Sequence, residues 1–139
     1  MSHPPVPQGS KLPSRGKSEW AKFIRGFGYA FSGLWYTLRT QRNMRVHVSI
    51  ALLAVLVGLL LRISPVEFAI IFLAIICVFT AEMFNTVLEI CVDLASPEYN
   101  PLAKIAKDVA AGAVLMSAIL SVIIGLFIFL PHIFVLLHR

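Results

Sequence analysis

Apolar positions gather into three long blocks separated by short polar breaks, and a stretch with apolar positions every three or four residues precedes them. In that stretch Trp20, Phe23, Phe27, Phe31, Leu34, Trp35 and Leu38 are interleaved with Lys22, Arg25, Arg39 and Arg42. The spacing predicts an amphipathic helix over residues 19–45, lying in a membrane interface with its rings toward acyl chains and its basic groups toward phosphates. Gly26, Ala30 and Gly33 form a second stripe, of small residues, where another helix can approach closely. The first apolar block predicts a span over about residues 46–62; it is slightly short for a hydrocarbon core of about 30 Å and is expected to borrow a turn from either flank. Pro65 suits the first turn of a second helix, predicted over residues 66–94, and Glu67 there suits the positive end of the helix dipole. Ser96-Pro97-Glu98-Tyr99-Asn100-Pro101 reads as a loop. A third span is predicted over residues 102–131, with Pro131 expected to end or kink it. Residues 1–18, crowded with proline and glycine, read as a disordered tail without the apolar core of a signal peptide. The pattern is therefore that of an all-α membrane protein, a surface helix plus three transmembrane helices, forming one domain over residues 19–139.

Composition agrees with lipid as the solvent. The chain of 139 residues is 58% hydrophobic and only 14% charged, with a mean hydropathy of +0.84, where a soluble domain carries about a quarter charged residues. Eight of the twelve Lys and Arg precede His47, opposed there only by Glu19. Such an arm can serve nucleic acid or plain solubility, but next to a hydrophobic span it marks the cytoplasmic side and meets anionic lipid headgroups. The bias places the N-terminus and the 94–104 loop inside, and the 62–65 turn and C-terminus outside. Cys77 and Cys91 are fourteen residues apart; on one helix that is roughly 20 Å, too far to bridge, so they read as inert packing residues.

The second block breaks its own pattern in one place. At 100° per residue, Glu82, Asn85, Glu89 and Asp93 fall on one face within an arc of about 80°. The two glutamates lie about 10 Å apart along the axis. Carboxylates inside a membrane helix are costly unless paired, hydrated or protonated, so this row asks for a cation: a metal ion, Lys104, Lys107, or Arg39, Arg42 or Arg45. Lys107 and Asp108, among Ala106, Ala110, Ala111, Gly112 and Ala113, come level with the row if the second and third helices form a hairpin. Lys107 facing the glutamates can be a salt bridge, or can hold the phosphates of a nucleotide whose metal sits on the glutamates. An enzyme site, an ion or proton path, and a scaffold bridging helices all fit these residues. No internal repeat favours a transporter, no phosphate-binding loop or dinucleotide fingerprint is present, and the four histidines show no zinc spacing. His47, at the mouth of the first span, reads as an interfacial hydrogen-bonder.

At these residues the chain resembles the small prokaryotic lipid kinases, the family of bacterial diacylglycerol kinase and undecaprenol kinase. The resemblance runs from about residue 23 to 130 and rests on Glu82-x-x-Asn85-Thr86-x-x-Glu89-x-x-x-Asp93 followed by Ala106-Lys107-Asp108. Gly28-Tyr29-Ala30 with Gly33 and Arg42-Asn43-Met44-Arg45-Val46-His47 also resemble the family. The latter string and Pro101–Asp108 look closer to the undecaprenol kinase branch.

The resemblance implies ATP-dependent phosphorylation of a lipid alcohol at the cytoplasmic interface of a bacterial inner or plasma membrane, undecaprenol rather than diacylglycerol, by a homotrimer with sites built between subunits. Glu82 would be the general base on the lipid hydroxyl. Glu89 would hold the Mg²⁺ that bridges the ATP phosphates, Asn85, Lys107, Asp108 and Tyr29 would line the nucleotide site, and Asp93 and Arg45 would support it. A glutamate in low dielectric can accept a proton near neutrality, and phosphoryl transfer needs mainly positioning and charge neutralisation, which a metal and a lysine supply without a phosphate-binding loop. One departure stands out: Gln41 occupies the place of a second metal-binding glutamate, and a neutral amide oxygen is a weaker Mg²⁺ ligand than a carboxylate. An impaired kinase or a silent scaffold is the reading that Gln41 adds.

Overall fold

A computed structural model describes residues 15–138, and among them the chain is all-helical: α1 Arg15–Thr40, α2 Arg42–Leu61, α3 Pro65–Ala95 and α4 Pro101–Leu137. The tail expected over residues 1–18 lies outside the described residues up to residue 14, and α1 begins at Arg15, earlier than the periodicity placed it. α1 and α2 meet at Gln41, whose extended backbone (φ −91°, ψ 118°) separates them. The first span thus starts at Arg42 rather than at residue 46, gaining on its N-terminal side the turn that its short apolar block lacks.

The chain divides into two compact units, one ending at Gly33 and one beginning at Leu34. In the first, α1 shows an edge-to-face ladder, Trp20 on Phe23 with ring centroids 5.9 Å apart and Phe23 on Phe27 at 5.1 Å. These rings are exposed, as an interfacial helix requires. Around Gly26 and Gly33, two members of the small-residue stripe, there is room for an added Cβ.

In the second unit α3 is the central element, packed most extensively on α4 and also on α2. Its core is Ile63, Ile71 and Ile128, with Ala54, Leu61, Phe68, Ile75, Ile124 and Phe129 against them. Between α4 and α3 the Ser121 hydroxyl donates to the Ala74 carbonyl at 3.3 Å. The α2–α3 connection is fixed by backbone geometry. Arg62 takes a left-handed conformation (φ 53°), and the Ile63 N–H donates to Gly58 O at 3.1 Å. Ser64 and Glu67 form a reciprocal capping box, Ser64 N–H to Glu67 Oε2 at 2.7 Å and Glu67 N–H to Ser64 Oγ at 3.3 Å, with Pro65 opening α3.

Gly58 is the tightest point of this turn: a Cβ there would meet the Ile63 side chain and the Phe68 ring at 3.0 Å. Gly58→Val is expected to lower stability by about 1–3 kcal/mol through overpacking, read as a drop in the unfolding midpoint in detergent micelles. An unchanged midpoint would mean that the turn yields freely.

α2, α3 and α4 are each long and apolar enough to cross a membrane. Their outward surfaces expose large side chains such as Leu52, Leu73 and Phe127. α4 runs on through Pro131 to Leu137, so the proline does not end the helix. Membrane helices tolerate proline where neighbouring groups re-satisfy the backbone.

Candidate active site

The acidic row occupies the C-terminal half of α3, and burial divides it. Glu82 is 1% exposed, Asn85 6% and Thr86 2%; Glu89 is half-buried and Asp93 exposed. Burial at Glu82, Asn85 and Thr86, with outward Phe84 and Val87, is the helical alternation that the sequence predicts for a face turned into the bundle. The Thr86 hydroxyl donates to the Glu82 carbonyl at 2.9 Å, which ties this turn of α3 together. One turn on, the Asn85 amide donates from Nδ2 to Glu89 Oε1 at 3.0 Å.

That arrangement leaves two acceptors without partners: Glu82 Oε2 and Asn85 Oδ1 are buried and make no hydrogen bond. Buried acceptors are nearly always satisfied, so an unpaired pair separated by one helical turn marks a place built to meet a proton, a donor or a cation from outside the chain. His47 on α2 lines one groove with Val78, which is one helical turn before Glu82. His47, read from the sequence as an interfacial hydrogen-bonder, is half-buried at the polar end of that groove. The signal available in the sequence was its place in the Arg42-Asn43-Met44-Arg45-Val46-His47 string.

The lysines sit differently from the expectation. Lys107 is ion-paired with Asp93 rather than facing the glutamates, so α3 and α4 meet through the outer end of the acidic row. Asp108 pairs with Lys104 at 2.7 Å on the exposed side of α4. Gln41 is half-buried at the α1–α2 break and Arg45 is exposed on the first turn of α2. Tyr29 belongs to the first unit, on an exposed face of α1. Cys77 and Cys91 are free thiols, as their separation on one helix predicts, and both are exposed.

Among the described residues no three His, Cys, Asp or Glu side chains come together as a metal cage. The donors present still fit Mg²⁺, a hard cation that keeps several waters and binds through one or two carboxylates plus substrate phosphates. Glu89 spends one oxygen on Asn85 and has the other available, and Asn85 Oδ1 is an unpartnered hard oxygen beside it.

A buried carboxylate, an amide–carboxylate pair and a lysine–aspartate pair thus lie along one side of the α3–α4 hairpin, and the class of protein that carries them is given by sequence similarity. Residues 28–129 match the prokaryotic diacylglycerol kinase family, and the chain belongs to that family. It is 45% identical over 115 residues to the undecaprenol kinase of Bacillus subtilis, covering 83% of this chain and 94% of that protein. With the diacylglycerol kinase of Synechocystis it shares 40% identity over 127 residues, 88% of this chain and 72% of that one. The diacylglycerol kinase of Escherichia coli K12 is 28% identical over 104 residues, 75% of this chain and 85% of that one.

Proposed function

We propose that this lipid kinase transfers the terminal phosphoryl group of ATP to the hydroxyl of undecaprenol, with Mg²⁺, at the cytoplasmic face of a bacterial plasma membrane. The observation that carries the proposal is the buried, unpartnered Oε2 of Glu82, one turn from the Asn85–Glu89 pair. Glu82 takes the hydroxyl proton as the lipid oxygen forms its bond to the terminal phosphorus and the bond to the leaving ADP oxygen breaks. His47, at the polar end of the groove that runs up to this turn of α3, is placed to orient the lipid hydroxyl. Asn85 orients Glu89, and Lys107 and Asp108 line the nucleotide side, Lys107 exchanging its partner Asp93 for phosphate oxygens. Asp93 and Arg45 support that side, and Tyr29 contributes to nucleotide contact. When bound to Glu89, Mg²⁺ supplies neutralisation of the phosphate charge that develops in transfer.

A groove of about 360 Å³ between α2, α3 and α4 supports a lipid acceptor. His47 stands at its polar end and Ala54, Ala74, Ala118 and Gly125 give it room for a slender chain. From Ala118 to Ile133 it follows α4 for about 22 Å, and Val78 in its wall is one turn before Glu82. A polyprenyl or acyl chain laid there brings its hydroxyl end to the carboxylate. Undecaprenol is preferred because of the similarity to the Bacillus enzyme; the Synechocystis relative supports diacylglycerol as the second reading.

The assembly is a homotrimer with sites shared between subunits. This arrangement is what the resemblance to the family implies. Gln41 is the weak position in the metal shell. Gln41→Glu is expected to lower the Mg²⁺ concentration for half-activation by about threefold to tenfold, a carboxylate being the stronger ligand. An unchanged Mg²⁺ titration would remove residue 41 from the shell.

The acceptor is tested by competition. Purified protein in lipid–detergent micelles receives labelled ATP, Mg²⁺ and equal amounts of undecaprenol and diacylglycerol. Label mainly in undecaprenyl phosphate is expected; label mainly in phosphatidic acid would assign the diacylglycerol reaction instead.

A further inference from the structure

The end of the bundle farthest from Glu82 carries a second polar feature that lipid phosphorylation does not use. Between the last turn of α2 and the last two turns of α4 lies an open cleft of about 780 Å³, with Arg62 and His132 as its polar lining and Leu60, Leu61, Val135 and Leu136 among its apolar walls. Glu67, which marks this level on α3, is about 22 Å along that helix from Glu82.

The charges here are arranged so that one cation is left over. Glu67 is taken up by the capping box, its Oε2 accepting from Ser64 N–H at 2.7 Å. His132 donates from Nδ1 to the Ile128 carbonyl at 2.9 Å and turns Nε2 toward Glu67 Oε2 at 3.7 Å. The Arg62 backbone is pinned in its left-handed turn by its N–H to the Leu59 carbonyl at 3.2 Å. Its guanidinium makes no hydrogen bond or ion pair among the described residues, and no other Lys or Arg among them stands at this end of the spans.

We propose that this cleft binds one anionic phospholipid of the leaflet opposite the kinase site, its phosphodiester on the Arg62 guanidinium and an acyl chain along the apolar walls. A guanidinium offers a fork of donors that matches phosphate oxygens, and beside it Leu60, Val135 and Leu136 form a surface that suits a hydrocarbon chain better than a small hydrated anion. A cleft at a span end puts both parts at the depth where a phospholipid carries them. A lipid held there bridges α2 and α4, which of the three spans touch each other least.

The test uses a local reporter, because the basic α1 also attracts anionic lipid. Leu136→Trp places an indole in the wall of the cleft, and Trp20→Phe with Trp35→Phe removes the other indole signals. The full chain is reconstituted in phosphatidylcholine vesicles containing brominated phosphatidylglycerol or brominated phosphatidylcholine, and quenching gives a relative binding constant. Phosphatidylglycerol is expected to be favoured by about fivefold or more with Arg62 present, an anion being attracted to an unpaired cation at the span end. The ratio is expected to fall to about one in Arg62→Asn, which tolerates the left-handed backbone, and to return in Arg62→Lys. Kinase activity retained in Arg62→Asn reports that the fold is intact. Glycerol phosphate in the buffer, tenfold over the lipid, is expected to leave the ratio unchanged. A ratio of one with Arg62 present, a preference that survives Arg62→Asn, or displacement by glycerol phosphate would overturn the lipid site without touching the kinase reading.

Discussion

Glu82→Gln is expected to reduce phosphoryl transfer to the lipid by a factor of about 10²–10⁴, the range that a positioned general base contributes. The same substitution is expected to leave the unfolding midpoint unchanged or raise it. Glu82 is 1% exposed and its Oε2 has no partner, so the folded protein carries the desolvation cost of a carboxylate without a compensating contact. Glutamine has the same shape and no charge, and its carbonyl and amide occupy the same space. Activity and stability should therefore move apart, which is the mark of a residue kept for chemistry rather than packing. The check is initial rate and thermal unfolding in the same micelles. A variant with full activity would remove Glu82 as the base. One that loses activity and unfolds early would make it a structural residue.

Glu89→Gln is expected to act through the metal instead. The glutamine side chain can still accept the Asn85 Nδ2 bond, seen at 3.0 Å, so the local geometry is retained while the negative charge is lost. Losing a group that merely hydrogen-bonds a ligand costs metal sites about 10–100-fold, and loss of a ligand carboxylate should cost at least about 100-fold in activity at low Mg²⁺. Part of that loss should return as Mg²⁺ is raised, whereas the Glu82→Gln loss should not. A rate deficit at position 89 that is flat across the Mg²⁺ titration would assign Glu89 to another task, such as holding Asn85.

Much of this was legible in the chain itself, for identifiable reasons. Long apolar blocks have few fates, so the three spans followed from hydropathy, and the acidic row from its expense within one of them. The α1–α2 break at Gln41 was not legible, because neither glycine nor proline marks it; the helical pattern continues across a residue whose backbone turns extended. Proline at position 131 is a strong stop signal in water, but α4 carries on through it.

The partner of Lys107 depends on where the hairpin closes. With the loop between Ala95 and Pro101, the register brings Lys107 to Asp93, while Glu89 and Glu82 lie about 6 Å and 16 Å farther along α3. Spacing along one helix could not supply that register. The place of His47 has the same origin: it lines the groove beside α3 because α2 packs on α3, a tertiary relation that no local pattern encodes.

The proposed reaction is transfer of phosphate from ATP to a lipid hydroxyl at the buried turn of α3 around Glu82. Its most direct test is the fate of the terminal phosphate of labelled ATP when the purified chain is given Mg²⁺ and undecaprenol in lipid–detergent micelles. Label extracted with the lipid as undecaprenyl phosphate, dependent on Mg²⁺ and lost in Glu82→Gln, is the predicted result. Label found only in inorganic phosphate, or ion flux through the protein in liposomes without any ATP consumed, would contradict it.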